Sequence, residues 1–425
     1  MFLVIGSLLY SVLPQFQYYG FPITTLNVWR GLLAIGAVLG LLFLLPRDRT
    51  SPGYGFACSF LIFAFFPNAF YFVLSSGSGE FFLFAFLYTA VILCASNATL
   101  RLRLVPSVIG SVSLAKAIMV MIAATAIIEL FRLNGMPSLA GLEISRVYEI
   151  RRGYSSSRIL EYLQSATTFC VIPMFIGSAT RDNFIRILLA TLALVLFIYL
   201  SSGGRFLLFA TLFLLTLKIY LLSRKTLMTF FLHFTYACVF AWLFDKYILG
   251  GANFLSSILL FRSFYVPGWM SNVWAEVFSN IGFLGFSQQL SFFSSPTGSV
   301  IPEVFVGDLL FPDDGGSFAT TGAIGYSFAN AHYLGLLDAA FLGVLLVMFN
   351  MCWYQIKQKS LSGGGALFLP AVLYGLYSSA SNLYSLLASR AFIVTLILCF
   401  LWSLSSNLVQ KTQTRAGGRS VTAGH

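Results

Sequence analysis

What this chain of 425 residues lacks narrows its class before any motif is considered. Only 9% of its residues are charged, too few to cover the surface of a soluble domain. It has 3 histidines, in no HExxH or paired-cysteine spacing, so neither a transition metal nor any other cofactor is expected. No Walker A sequence is present, which excludes ATP-driven work by this chain alone. The net charge of +11 comes with no helix-turn-helix or OB-like pattern, so no nucleic-acid partner is expected. Six cysteines, Cys58, Cys94, Cys170, Cys238, Cys352 and Cys399, all lie in apolar stretches. They read as small packing residues, neither a disulfide frame nor a metal cluster. No repeat of fixed period is seen, and Phe2–Pro14 lacks the basic leader of a cleavable signal peptide.

What is there is hydrocarbon: 58% hydrophobic residues, 17% aromatics and a mean hydropathy of +0.86. The bilayer is therefore the expected solvent, and the fold class an all-α polytopic membrane protein of about 12 transmembrane helices. The expected spans lie near Phe2–Pro14, Trp29–Leu45, Phe56–Ser75, Phe81–Ser96, Val108–Leu130 and Tyr162–Ser178. They continue near Phe184–Leu200, Phe206–Leu222, Leu227–Leu249, Ala323–Trp353, Leu367–Tyr384 and Ala391–Ser405. Alternate connections are compact and basic: Arg47 with Arg49, Arg101 with Arg103, Arg181 with Arg186, Arg224-Lys225, Lys357 with Lys359, and the tail at 409–425. By the positive-inside rule these are cytoplasmic, and so are both termini.

Two opposite connections are long, 131–161 and 250–322, and are expected as ordered outer loops of one integral-membrane domain, 1–425. Phe264, Trp269, Trp274 and Phe278 in the second suggest short amphipathic helices, with the tryptophans as interfacial anchors. Against the charge rule, Arg146, Arg151, Arg152, Arg158, Arg205 and Arg262 fall on the outer side. An anionic ligand on that face is the simplest reason. Ser201-Ser-Gly-Gly-Arg205 reads as a tight turn where glycine amides, a helix start and an arginine form an anion site. Arg262 lies in an apolar context where a bare charge is costly, and the two arginines are expected to line one outward cavity. Arg30 and Arg390 fall at the same headgroup depth. Lys218 reads as a snorkelling residue without function. Asp338, mid-span, reads either as a functional carboxylate or as a paired one that fixes helix packing.

Four elements carry a family resemblance: Arg151-Arg152, Ser-Gly-Gly-Arg205, Arg262-Ser-Phe-Tyr-Val-Pro267 and Gly325-Tyr-Ser-Phe-Ala-Asn-Ala-His-Tyr-Leu-Gly335. Together with the two long loops they resemble the O-antigen polymerases of the Wzy type, in the O-antigen ligase and polysaccharide polymerase superfamily. In some members an arginine is followed eleven positions later by glycine; here Tyr162 and Val273 stand there after Arg151 and Arg262. The resemblance implies a GT-C-like arrangement in the bacterial inner membrane. It implies metal-independent transfer of an O-antigen glycan from undecaprenyl diphosphate to a second lipid-linked repeat unit, with membrane lipid and a chain-length regulator as partners. Arg205 and Arg262 would stabilise the departing diphosphate, Arg151, Arg152, Arg30, Arg390 and Asp338 would bind substrate, and His332 would be the base, with Asp313, Asp314 and Glu276 as alternatives. An O-antigen ligase and a lipid-linked oligosaccharide flippase are the competing classes.

Overall fold

This computed structural model describes residues 1–14, 16, 27–75, 77–98, 112–137, 150, 153–251, 254–285, 297, 300–312, 319–358, 364–387 and 390–404. All regular structure among them is helical. In chain order the helices are α1 (Phe2–Val12), α2 (Val28–Phe43), α3 (Pro52–Leu74), α4 (Gly79–Asn97), α5 (Val112–Asn134), α6 (Arg158–Ser178), α7 (Phe184–Ser202) and α8 (Arg205–Leu222). They continue with α9 (Leu227–Tyr247), α10 (Val266–Ile281), α11 (Pro302–Leu310), α12 (Ala323–Ala331), α13 (Leu336–Gln358), α14 (Gly364–Tyr377), α15 (Leu383–Leu387) and α16 (Phe392–Ser403).

Among the described residues, seven elements are long and apolar enough to cross a bilayer: α3, α4, α5, α6, α7, α9 and the broken stretch Ala323–Lys357. Shorter apolar helices stand where the other spans were expected: α1, α2, α16 and most of α8 and α14. The protein is thus an all-helical, multi-pass membrane protein. Local sequence sets the helix starts. Asn27, Ser51, Ser78, Ser157 and Thr226 each accept a backbone N–H three residues on, at 3.1 to 3.3 Å, satisfying donors that the first turn leaves open.

Among the described residues, three π-helical segments interrupt the α geometry, at Leu61–Phe65, Thr167–Val171 and Ser257–Tyr265. Each ends two residues before a proline: Pro67, Pro173 and Pro267. Proline brings no N–H and its ring collides with the carbonyl four residues back, which here is Phe63, Phe169 or Ser263. Widening that turn relieves the collision.

The described chain divides into two compact units. The first comprises Met1–Ala98, Leu212–Val347 and Ala371–Arg390. Within it α10 packs against α3 and α12. Glycine permits this closeness: a Cβ on Gly268 would collide with the Pro67 carbonyl, and one on Gly325 with Ser271. Membrane helices gain association energy from such contacts because lipid offers no hydrophobic drive between them. This corrects the expectation of interfacial tryptophans. Trp274 is fully buried, Trp269 nearly so, and the Trp274 indole N–H donates to the Ala319 carbonyl at 2.8 Å. The second long loop thus supplies a core helix. Lys218, read as snorkelling, is buried. The second unit comprises Thr99–Thr211, Met348–Pro370 and Ala391–His425. There α5 packs against α6, α7 and α16, and Gly177 sits against the Gly365–Ala366 backbone.

Candidate functional site

The expected span at Ala323–Trp353 is broken. α12 stops at Ala331, one 3-10 turn (His332–Gly335) follows, and α13 resumes at Leu336. Gly335 lies against the Ser327 carbonyl so closely that a Cβ would clash. The break frees carbonyls at the end of α12, and the second loop takes them up. Leu284 N–H donates to the Ala329 oxygen at 2.9 Å and Gly285 N–H to the Asn330 oxygen at 2.7 Å.

His332 sits at the break with φ 52° and ψ −131°, a region glycine occupies freely and other residues rarely. Its Nε2 is 2.8 Å from Oε1 of Glu80, which lies in the first turn of α4. Rings close around the imidazole: centroids of Tyr333, Phe328 and Phe283 lie at 4.6, 4.7 and 5.3 Å. The side chains of His332 and Glu80 remain 34% and 56% exposed, so the pair is open to a ligand. A carboxylate on Nε2 suits the imidazole tautomer that carries its proton there and its lone pair on Nδ1. Beside this, Asn330 is fully buried, and neither atom of its amide has a partner among the described residues.

Asp338 is 5% exposed and both its oxygens are engaged: Ser327 Oγ donates to Oδ2 at 2.8 Å and Tyr384 OH to Oδ1 at 3.1 Å. These bonds tie α12, α13 and α15 together, as the packing alternative requires. Arg30 directs Nη1 at the carbonyls of Phe72, Ser75 and Gly77, at 3.2, 3.0 and 3.1 Å, a cation at the C-terminal end of α3. Arg390 lies over the Tyr377 ring at 5.2 Å, and its carbonyl accepts from Tyr374 OH. Arg262 is exposed on the π-helical turn Ser257–Tyr265. Its stretch is anchored by Asp245, whose carboxylate accepts from Leu255 N–H at 3.1 Å and Ser256 N–H at 2.6 Å.

In the second unit Arg205 opens α8 as expected. The preceding turn closes α7 with Gly203 in the left-handed region, its N–H on the Tyr199 carbonyl. Gly204 N–H donates to Ser202 Oγ at 3.3 Å, so both glycine amides are engaged within the turn. Arg158 is exposed at the start of α6, and Glu276 is exposed on α10 in the first unit. Arg146, Arg151, Arg152, Asp313 and Asp314 lie outside the described residues.

Sequence reasoning named His332 without Glu80 or Phe283, which sit far from it along the chain. The one local signal was Ser78-Gly-Glu80, a helix start carrying an acid. Comparison with known proteins adds no assignment: no family model, curated protein or solved structure matches this chain.

Proposed function

We propose that this protein polymerises undecaprenyl-diphosphate-linked surface-glycan repeat units, as an O-antigen polymerase of the Wzy type with about 12 spans and both termini cytoplasmic. The observation that carries the proposal is the His332–Glu80 pair: a histidine held 2.8 Å from a carboxylate, ringed by aromatics and accessible. Aromatic faces suit the apolar faces of sugar rings, and the histidine beside them supplies a base where a glycan would lie. Transfer of the glycan makes one bond and breaks one. The acceptor hydroxyl oxygen attacks the anomeric carbon, the bond from that carbon to the diphosphate oxygen breaks, and the hydroxyl proton passes to Nδ1 of His332. Glu80 stabilises the imidazolium so formed. The exposed guanidinium of Arg262 suits the charge developing on a leaving diphosphate.

Complementation of a polymerase-null bacterial strain tests this, read as long-chain against single-unit lipopolysaccharide. Wild type should restore the ladder, while His332→Gln and Arg262→Ala should each give single units at wild-type expression. Normal ladders from His332→Gln across about pH 6 to 8, the range bracketing the ordinary histidine pKa, would make the histidine structural. Transfer of preformed polymer to lipid A core without any extension would assign the protein as a ligase.

A further inference from the structure

A short strap from the second long loop runs beside His332. α10 ends at Ile281, and Gly282-Phe-Leu-Gly285 then meets the end of α12. Both glycines take positive φ, 111° at Gly282 and 58° at Gly285, where a side chain would be strained. On one flank of Phe283, the Gly282 N–H caps α10 by donating to the Phe278 carbonyl. On the other, Leu284 is buried, and the N–H groups of Leu284 and Gly285 donate to the Ala329 and Asn330 carbonyls at 2.9 and 2.7 Å. Those carbonyls stand three and two residues before His332. The strap and the histidine are thus held in one register, and Phe283 is fixed although it belongs to a loop.

Phe283 differs from its neighbour Phe328 in how much of it is covered. Phe328 is 2% exposed and Phe283 39%. An edge contact with Phe328, at 6.2 Å and 80°, and a tilted one with His332, at 5.3 Å and 47°, leave part of the Phe283 ring open. A ring already fixed loses little further freedom when a ligand docks on it. Its face is electron-rich and is matched by a C–H surface, which the ring hydrogens of a pyranose provide. Charge narrows the class. The exposed Glu80 carboxylate pairs with His332 and with no lysine or arginine among the described residues. With the imidazole neutral, this pair carries one negative charge, and the electron-rich ring faces add to it. A sugar bearing its own carboxylate is repelled by both.

We propose that Phe283 is the specificity-determining platform beside His332, and that the sugar ring it stacks is neutral, with hexuronic acids disfavoured. That this sugar is the acceptor rests on the polymerase function proposed above; the stacking and the selection by charge do not. Phe283→Leu removes the ring but keeps apolar bulk, and should weaken neutral sugars about 2- to 12-fold, the range of an aromatic contact. Like charges about 8 Å apart, between the dielectric of a protein surface and that of water, give a discrimination of about 2- to 30-fold against a uronate. Glu80→Gln removes the charge and should close most of that gap while leaving the dependence on Phe283 in place.

The experiment is saturation-transfer NMR on the purified full chain in nanodiscs, with the signal of empty nanodiscs subtracted. The probes are the methyl glycosides of glucose, galactose and mannose, each set against the methyl glycoside of its uronic acid. Transfer to the ring C–H protons of at least one neutral probe is expected, stronger than to its uronate. It should fall in Phe283→Leu and persist in Phe283→Tyr, which keeps the ring; Phe283→Met repeats the test should Phe283→Leu fail to fold. No transfer to any neutral probe, equal transfer to the uronates, or undiminished transfer once the ring is removed would overturn the proposal. Sugar binding that depends on Phe283, in a protein that restores no lipopolysaccharide ladder, would uphold the platform and overturn the polymerase function alone.

Discussion

Replacing His332 by alanine and by glycine separates its backbone from its ring. Both variants lose the bond to Glu80 and the contacts with Phe328, Tyr333 and Phe283, so those losses cancel in the comparison. What differs is the conformation at φ 52° and ψ −131°. A non-glycine residue held there costs about 1–3 kcal/mol. Glycine avoids that cost but gives up about 0.5–1 kcal/mol through its freer unfolded chain. The glycine variant should therefore be the more stable by roughly 0.5–2 kcal/mol. Inside a regular helix the order reverses, with alanine favoured by about 1 kcal/mol; Ala329→Gly, on α12, supplies that contrast. Thermal stability of detergent-solubilised protein, scored by the monodisperse fraction surviving a heating series, measures the ranking. An alanine variant equal to or more stable than the glycine variant would refute the strained break. Both variants should lose glycan extension by about 10²–10⁴-fold if the imidazole is the base.

Glu303, on α11, has its carboxyl pushed above the usual range by burial. The folded state therefore holds its proton more tightly, so its stabilising contribution is complete below the ordinary carboxylate pKa and fades as pH rises through the raised value. Hydrogen exchange over Pro302–Leu310, corrected for intrinsic rate, should show greater protection at acidic pH, and Glu303→Gln should abolish that dependence. Asn330→Leu removes a buried amide that has no partner among the described residues and should stabilise the solubilised protein by about 1–3 kcal/mol; a loss in the same heating series would show that the amide is satisfied. Gly268→Leu must part α10 from α3 and should cost about 1–3 kcal/mol or more, visible as lost monodisperse protein, whereas an unchanged yield would contradict the close approach.

The apolar runs made the helices legible, though not where each begins: the spans expected from Phe56 and Phe81 start earlier, behind the caps Ser51 and Ser78. Hydropathy carries no information about partners, however. It could not distinguish a tryptophan facing lipid headgroups from Trp274, whose N–H finds the Ala319 carbonyl inside the bundle. Nor could it see that Ala323–Trp353 breaks at His332, because Ala-His-Tyr-Leu-Gly holds no proline and the close fit of Gly335 against the Ser327 carbonyl exists only once the chain is folded. Arg30 was legible as a charge at headgroup depth, yet its role at the end of α3 depends on carbonyls more than forty residues away. Glu80 was visible only as one acid among several near a helix start.

The π-helical turns before Pro67, Pro173 and Pro267 carry a further consequence. A π turn amounts to one extra residue spliced into an α-helix, a phase slip of about 100° in the direction that later side chains face. Excising a single residue from Leu61–Phe65 would convert the wide turn to an ordinary one and swing Pro67, together with the Asn68 that follows, off the face they now present to Gly268. The same excision in Ser257–Tyr265 would turn Arg262 relative to Trp274. Such single-residue deletions, like insertions, change the phase of the helix, which a substitution leaves intact. The three prolines act as register marks: each fixes where along its helix the slip is taken up, and so which residues the protein shows to its own interior and which to lipid.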